Sequence, residues 1–172
     1  KLMKKIRLVD KKRNNGILRG NFKDGKKEGV FELIVGDVVL LRSNYRNDKL
    51  HGLNETFYSI GTLFSMGNFI DDKLDGLWGF YTYTGRLIFS GIIKNDNFNG
   101  LFKSYSLTGS LIFSGNFKDS IPDGLWEMFH ENGQLREMGN FTNGKQDGLF
   151  EYFDEDGNLT NTEEYKDGEL IE

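Results

Sequence analysis

Apolar residues along this chain come in short bursts at a fixed long period. From Gly29 onward, a glycine followed by large apolar side chains recurs at Gly52, Gly76, Gly100, Gly124 and Gly148, 24 residues apart with one interval of 23. Counting each glycine as position one, position two holds Val30, Leu53, Leu77, Leu101, Leu125 and Leu149, and position three holds Phe31, Asn54, Trp78, Phe102, Trp126 and Phe150. Position six is Ile34, Phe57, Tyr81, Tyr105, Phe129 and Phe153. A second glycine column (Gly61, Gly85, Gly109, Gly133, Gly157) precedes a leucine column, and a third (Gly67, Gly91, Gly115, Gly139) stands two residues before an aromatic or isoleucine. Helices fail this pattern, because glycine recurs too often and the rings never settle to a 3.6-residue spacing. Two short strands joined by tight turns satisfy it. The pattern therefore predicts an all-β protein, an elongated single antiparallel sheet or β-meander built from tandem hairpins, one for each repeat of about 24 residues.

The repeats set the expected boundaries. Residues 1–28 form a shortened N-terminal capping repeat, in which NNGILRGNFKDGK echoes ENGQLREMGNFTNGK at 131–145. Six hairpin repeats follow at 29–51, 52–75, 76–99, 100–123, 124–147 and 148–172, within one continuous domain. A three-residue loop with Gly133 left-handed puts His130 opposite Gln134. Carried along the strands, that register sets Phe129 against Leu135, Leu125 against Gly139 and Trp126 against Met138. It gathers Leu125, Phe129, Leu135, Gly139 and Phe141 on one face, over which the sheet is expected to curl, and leaves the position-three rings on the other.

Composition sharpens this picture. With 15 Phe, 7 Tyr and 2 Trp but 37% hydrophobic residues in all, the apolar surface is carried by large rings, which suit strands. Twenty-two glycines and a single proline, Pro122, fit many turns and uninterrupted strands. The absence of cysteine removes disulfides and thiolate metal sites and leaves the compartment open. Charge is uneven: residues 1–27 carry a net +9 and residues 28–172 a net −13. A solvated basic end explains this as simply as a phosphate-binding one. The sequence begins at Lys1, so a preceding segment such as a signal sequence is left open.

The residues GLWEMFHENGQLREMGNFTNGKQDGLFEYFDEDGNL resemble the bacterial variant of the MORN repeat, and the chain is similar to the YwqK-like antitoxin family over about residues 14–169. That resemblance implies an antitoxin that binds and neutralises a partner toxin. For eukaryotic MORN proteins it implies scaffolding, dimerisation and attachment to membrane lipid. The chain departs from the pattern where Asn54 replaces the Trp or Phe of position three. It departs again where Asp48, Asp72, Asp96 and Ser120 replace the turn glycine seen at Gly144 and Gly168.

Candidate chemistry is sparse. His51 and His130 are the residues suited to general-base work near neutral pH, and they occupy different repeat positions. No nucleophile and base stand together, so the chain is read as not an enzyme, with no cofactor and no metal. The run Asp154, Glu155, Asp156, Gly157, Asn158 begins like a calcium loop, but Tyr165 stands where its glutamate belongs, so a hairpin turn is the simpler account. GNFKDGK at 20–26 is a turn, since no helix follows it. The position-three rings Phe31, Trp78, Phe102, Trp126 and Phe150 are the candidate partner-binding residues. They recur once per hairpin with Glu32, Glu55, Glu127 and Glu151 beside them, and they are either a binding stripe or the core of a coiled ribbon.

The expected function is that of a non-catalytic protein-binding module, resembling an antitoxin or immunity protein. A cell-wall or carbohydrate-binding repeat protein and a membrane-associated scaffold are the alternatives. GLWGFYTYTGRL resembles cell-wall-binding hairpins, and the basic end suits anionic lipid although the acidic body opposes it. A protein partner such as a basic toxin is expected, with no nucleic acid, little membrane contact, and a homodimer left open.

Overall fold

The computed structural model describes residues 4–8 and 16–171, with side chains from Gly16 onward. It is all-β, an open antiparallel sheet whose strands follow one another in sequence order as a meander. Two compact units, residues 1–86 and 87–172, divide the chain. The first holds β1 (Lys4–Leu8), β2 (Gly16–Lys23), β3 (Lys26–Val35), β4 (Val38–Arg46), β5 (Lys49–Phe57), β6 (Leu63–Ile70) and β7 (Lys73–Tyr81). The second holds β8 (Leu87–Lys94), β9 (Asn97–Tyr105), β10 (Leu111–Lys118), β11 (Ile121–Phe129), β12 (Leu135–Thr142), β13 (Lys145–Gln146), β14 (Gly148–Phe153), β15 (Leu159–Lys166) and β16 (Glu169–Leu170). Of the shortened capping repeat expected at 1–28, residues 1–3 and 9–15 lie outside the described residues.

Two kinds of turn alternate. At 130–134 the amide of His130 donates to the carbonyl of Gln134 (2.8 Å), and the amide of Gly133, at φ +89°, donates to the carbonyl of His130 (3.0 Å). This is the loop that the sequence predicts, and it recurs at 58–62, 82–86, 106–110 and 154–158. The Gly36–Asp37 turn has one left-handed residue, Gly36 (φ 61°), and the remaining turns have two, as in Asp71–Asp72 (φ 50° and 73°) and Asn143–Gly144 (φ 50° and 82°), the geometry that matches strand twist. Non-glycine residues tolerate the second place because their side chains are used. The Asp72 amide donates to the Leu50 carbonyl (3.0 Å) while Asp72 Oδ1 accepts from the Leu50 amide (2.7 Å). Asp48 does the same with Lys27, and Ser120 with Phe98. Each such turn is stitched to the preceding hairpin, which explains the replacement of the turn glycine at these positions.

The register beyond the Gly133 loop corrects the sequence-based reading. Phe129 pairs with Leu135 as expected, but Met128 pairs with Glu137, so Arg136 is an extra residue, a β-bulge. Everything further along is therefore displaced by one: Trp126 faces Gly139, Glu127 faces Met138, and Leu125 faces Asn140. Because side chains alternate, this moves Gly139 and Phe141 to the tryptophan's side and leaves Leu125 on the opposite face. The same bulge occurs at the corresponding position between Tyr152 and Phe153 and between Thr56 and Phe57.

Candidate interaction surface

The bulge builds one face from rings laid over glycines. In residues 87–172 a transverse row runs Gly91, Phe102, Gly115, Trp126, Gly139, Phe150, Glu163, each glycine flanked by the large side chains of neighbouring strands. A Cβ placed on Gly139 would lie 2.5 Å from the Phe150 ring, and one on Gly115 would lie 2.5 Å from Phe113 and 3.1 Å from Trp126. The rings occupy the space that a side chain would take. They also touch one another: Phe102–Phe113, Phe113–Trp126 (4.4 Å), Trp126–Phe141 (4.9 Å), Phe141–Phe150 and Phe150–Tyr165 (5.3 Å) form a continuous series with centroids within edge-to-face range.

Residues 16–86 repeat the device with one interruption. Phe31 covers Gly20 and meets Phe22 and Tyr45, each at 5.3 Å, and Lys27 Nζ sits 4.5 Å from the Tyr45 ring. Trp78 lies against Gly67 and packs on Phe80 at 4.8 Å. Between them, where Asn54 takes the ring's place, Ser43 takes the glycine's, and Asn54 Nδ2 donates to Ser43 Oγ at 2.9 Å. Ser43 is 1% exposed, so that hydrogen bond satisfies a buried hydroxyl. On the opposite face of the same strands, Arg19, Glu32, Arg42 and Glu55 form an alternating ladder of ion pairs, with Arg42 Nε 3.1 Å from Glu32 and Nη1 3.3 Å from Glu55. The Arg19 hydrogen bond, helped by Arg42 and opposed by burial, holds the Glu32 carboxyl below the usual glutamate range.

The sequence-predicted site residues thus fall into two groups. Phe31 and Phe150 are 2% and 0% exposed and form core, out of reach of a partner on this face, while Trp78, Phe102 and Trp126 are half-buried over their glycines. Glu127 and Glu151 do not share the ring face; alternation puts them on the other. That other face is where apolar side chains stay in solvent: Leu101, Leu125 and Leu149 are 38%, 37% and 52% exposed. The position-two leucines carried a signal in the sequence, one per hairpin, but the assumed register assigned them to the core.

The remaining polar candidates serve the fold. His130 Nε2 lies 2.8 Å from the Phe153 carbonyl and acts as donor there, bridging one hairpin to the next, as Tyr58 does to the Tyr81 carbonyl. His51 lies 3.4 Å from Asp71, which also pairs with Arg46. Asp154 Oδ1 accepts from the amides of Asp156 (3.0 Å) and Asn158 (2.8 Å), so its own turn uses the carboxylate. Glu163, in the glycine place of the last row, accepts from the hydroxyls of Tyr152 and Tyr165, both at 2.8 Å. Those bonds lower the Glu163 carboxyl, whereas burial first and Glu163 second push the Tyr152 phenol up. Among the described residues no group of three or more His, Asp or Glu side chains is placed to hold a metal ion.

Comparison with known proteins agrees with this geometry. No curated protein matches the chain. Among solved structures, a mutant of TarM from S. aureus in complex with fondaparinux, alpha-GlcNAc-glycerol and UDP is similar at 10% identity and a TM-score of 0.36. That likeness covers 56% of this chain and only 19% of the other, and at such a score it carries no argument. Residues 122–143 and 146–167 match the family model described as the MORN repeat variant, each match spanning a left-handed loop and the two strands it joins. Repeats of this kind are generally protein- or membrane-binding modules. These two units of the chain are similar to the MORN repeat variant.

Proposed function

We propose that this protein is a non-catalytic binding module for another protein, acting as an antitoxin or immunity protein that neutralises its partner by occupying it. The observation that carries the reading is the exposed leucine placed once per hairpin on the face away from the rings, at Leu101, Leu125 and Leu149. Solvent-facing apolar side chains in a regular row cost free energy in the isolated protein unless a partner covers them, and such patches mark interaction sites. The acidic body adds steering toward a basic partner, which suits a toxin that acts on nucleic acid.

The test is co-expression with the product of the neighbouring open reading frame. The expected result is rescue of growth when that product is toxic, together with a complex that survives gel filtration and whose association slows with salt. Toxicity unrelieved by this chain, with no complex by calorimetry, rejects the antitoxin role.

A further inference from the structure

We infer that the leucine face of residues 87–172 is a binding track for a basic, extended protein segment with apolar side chains at every third residue. This rests on the protein-binding function proposed above and specifies the partner's chemistry. Three observations carry it. The first is position: Leu101 pairs with Asn116, Leu125 with Asn140 and Leu149 with Glu164, so the leucines stand at one register level on β9, β11 and β14. The second is charge. One residue pair along, the same face carries Lys103, Ser114, Glu127, Met138, Glu151 and Thr162, and with Glu164 this sets three carboxylates against one ammonium beside the leucines. Residues 28–172 as a whole are net −13, so an acidic or neutral partner finds no complement here.

The third observation is spacing. Successive leucines are two strands apart, about 9.6 Å at ordinary strand separation. A polyproline II segment returns to the same side every third residue, about 9.3 Å along its axis. A β-strand presents same-side residues about 6.7 Å apart, and an α-helix shows the seventh residue at about 10.5 Å, so both drift out of step over three leucines. Asn140, exposed between Leu125 and Leu149, lies under the backbone of such a segment, where a side-chain amide can meet carbonyls that polyproline II leaves unpaired.

The test uses the full chain and fluorescein-labelled synthetic peptides read by anisotropy. A peptide repeating Leu-Pro-Lys five times places leucine on one edge at the required spacing and lysine on another. Leu-Pro-Glu repeats reverse the charge, and alternating Leu-Lys repeats change the spacing. The Leu-Pro-Lys peptide is expected to bind about tenfold or more tighter than either control. The double variant Leu125→Ser, Leu149→Ser is expected to weaken it about tenfold with an unchanged circular dichroism spectrum. Glu127→Lys with Glu151→Lys is expected to abolish the preference for Lys over Glu. Equal binding of all three peptides, no binding of Leu-Pro-Lys at about 1 mM, or indifference to both double variants overturns the inference. A neighbouring-gene partner that binds the Leu125, Leu149 double variant at full affinity also overturns it while leaving the protein-binding function standing.

Discussion

Gly139→Ala isolates the packing that holds the ring face together. A Cβ at this position falls 2.5 Å from carbons of the Phe150 ring, whereas carbon atoms pack at about 3.5–4.0 Å, so the ring must retreat by about 1 Å. It has nowhere to go, being 0% exposed and held between Phe141 at 5.7 Å and Tyr165 at 5.3 Å. Overpacking of this kind costs about 1–3 kcal/mol, while replacing a strand glycine with alanine returns about 0.5–1 kcal/mol of backbone entropy. The φ of Gly139 lies outside the left-handed region, so no backbone strain adds to the sum. The expected net loss is about 1–2 kcal/mol, measured by urea denaturation. The decisive comparison repeats the substitution in a Phe150→Leu background, where the smaller, flexible side chain yields and the penalty should shrink to about 0.5 kcal/mol or less. A loss of the same size in both backgrounds refutes the steric account. Gly133→Ala provides the contrast: no atom lies within 4 Å of its Cβ, but its φ is +89°. It should cost about 1 kcal/mol with or without Phe150, and the neighbouring Gln134→Ala should cost little.

The other expectations follow from the polar substitutions in the array. Asn54→Ala strands the buried Ser43 hydroxyl and should destabilise by about 1–3 kcal/mol, whereas Ser43→Gly with Asn54→Phe rebuilds the ring-on-glycine pair and should recover most of the loss; equal loss in both denaturation curves refutes the pairing. At the turn, Asp72→Ala loses the bond to the Leu50 amide and puts alanine at φ 73°, while Asp72→Gly loses only the bond, so melting temperature should fall further for alanine; the reverse order counts against the stitch. Glu163 and Glu32 have folded-state values below the unfolded one, so their contribution is present above about pH 4.3 and disappears as pH falls through the folded value. Glu163→Gln should therefore show a smaller drop in denaturation midpoint between about pH 6 and pH 3 than the parent protein, and identical drops reject the linkage.

Much of this protein was legible in its sequence because the information is local and repeated. A glycine at a fixed offset specifies the turn at His130–Gln134 and its equivalents. The 24-residue period then leaves sequential hairpins as the simple way to pair. The face assignment was decided by tertiary structure. A bulge at Arg136 costs one residue of register, and because side chains alternate with a period of two, that residue exchanged the faces of Gly139 and Phe141 relative to Leu125. Nothing in the identity of Arg136 announces this, since its equivalents are Thr160 and Phe64; at Arg136 the bulge sets the Trp126 ring opposite Gly139. The sequence alone therefore determined turns, strands and their order, each set by conformational preference within a few residues. Which rings are buried and which leucines face solvent required packing between different strands, as between Trp126 and Gly139 or Gly139 and Phe150.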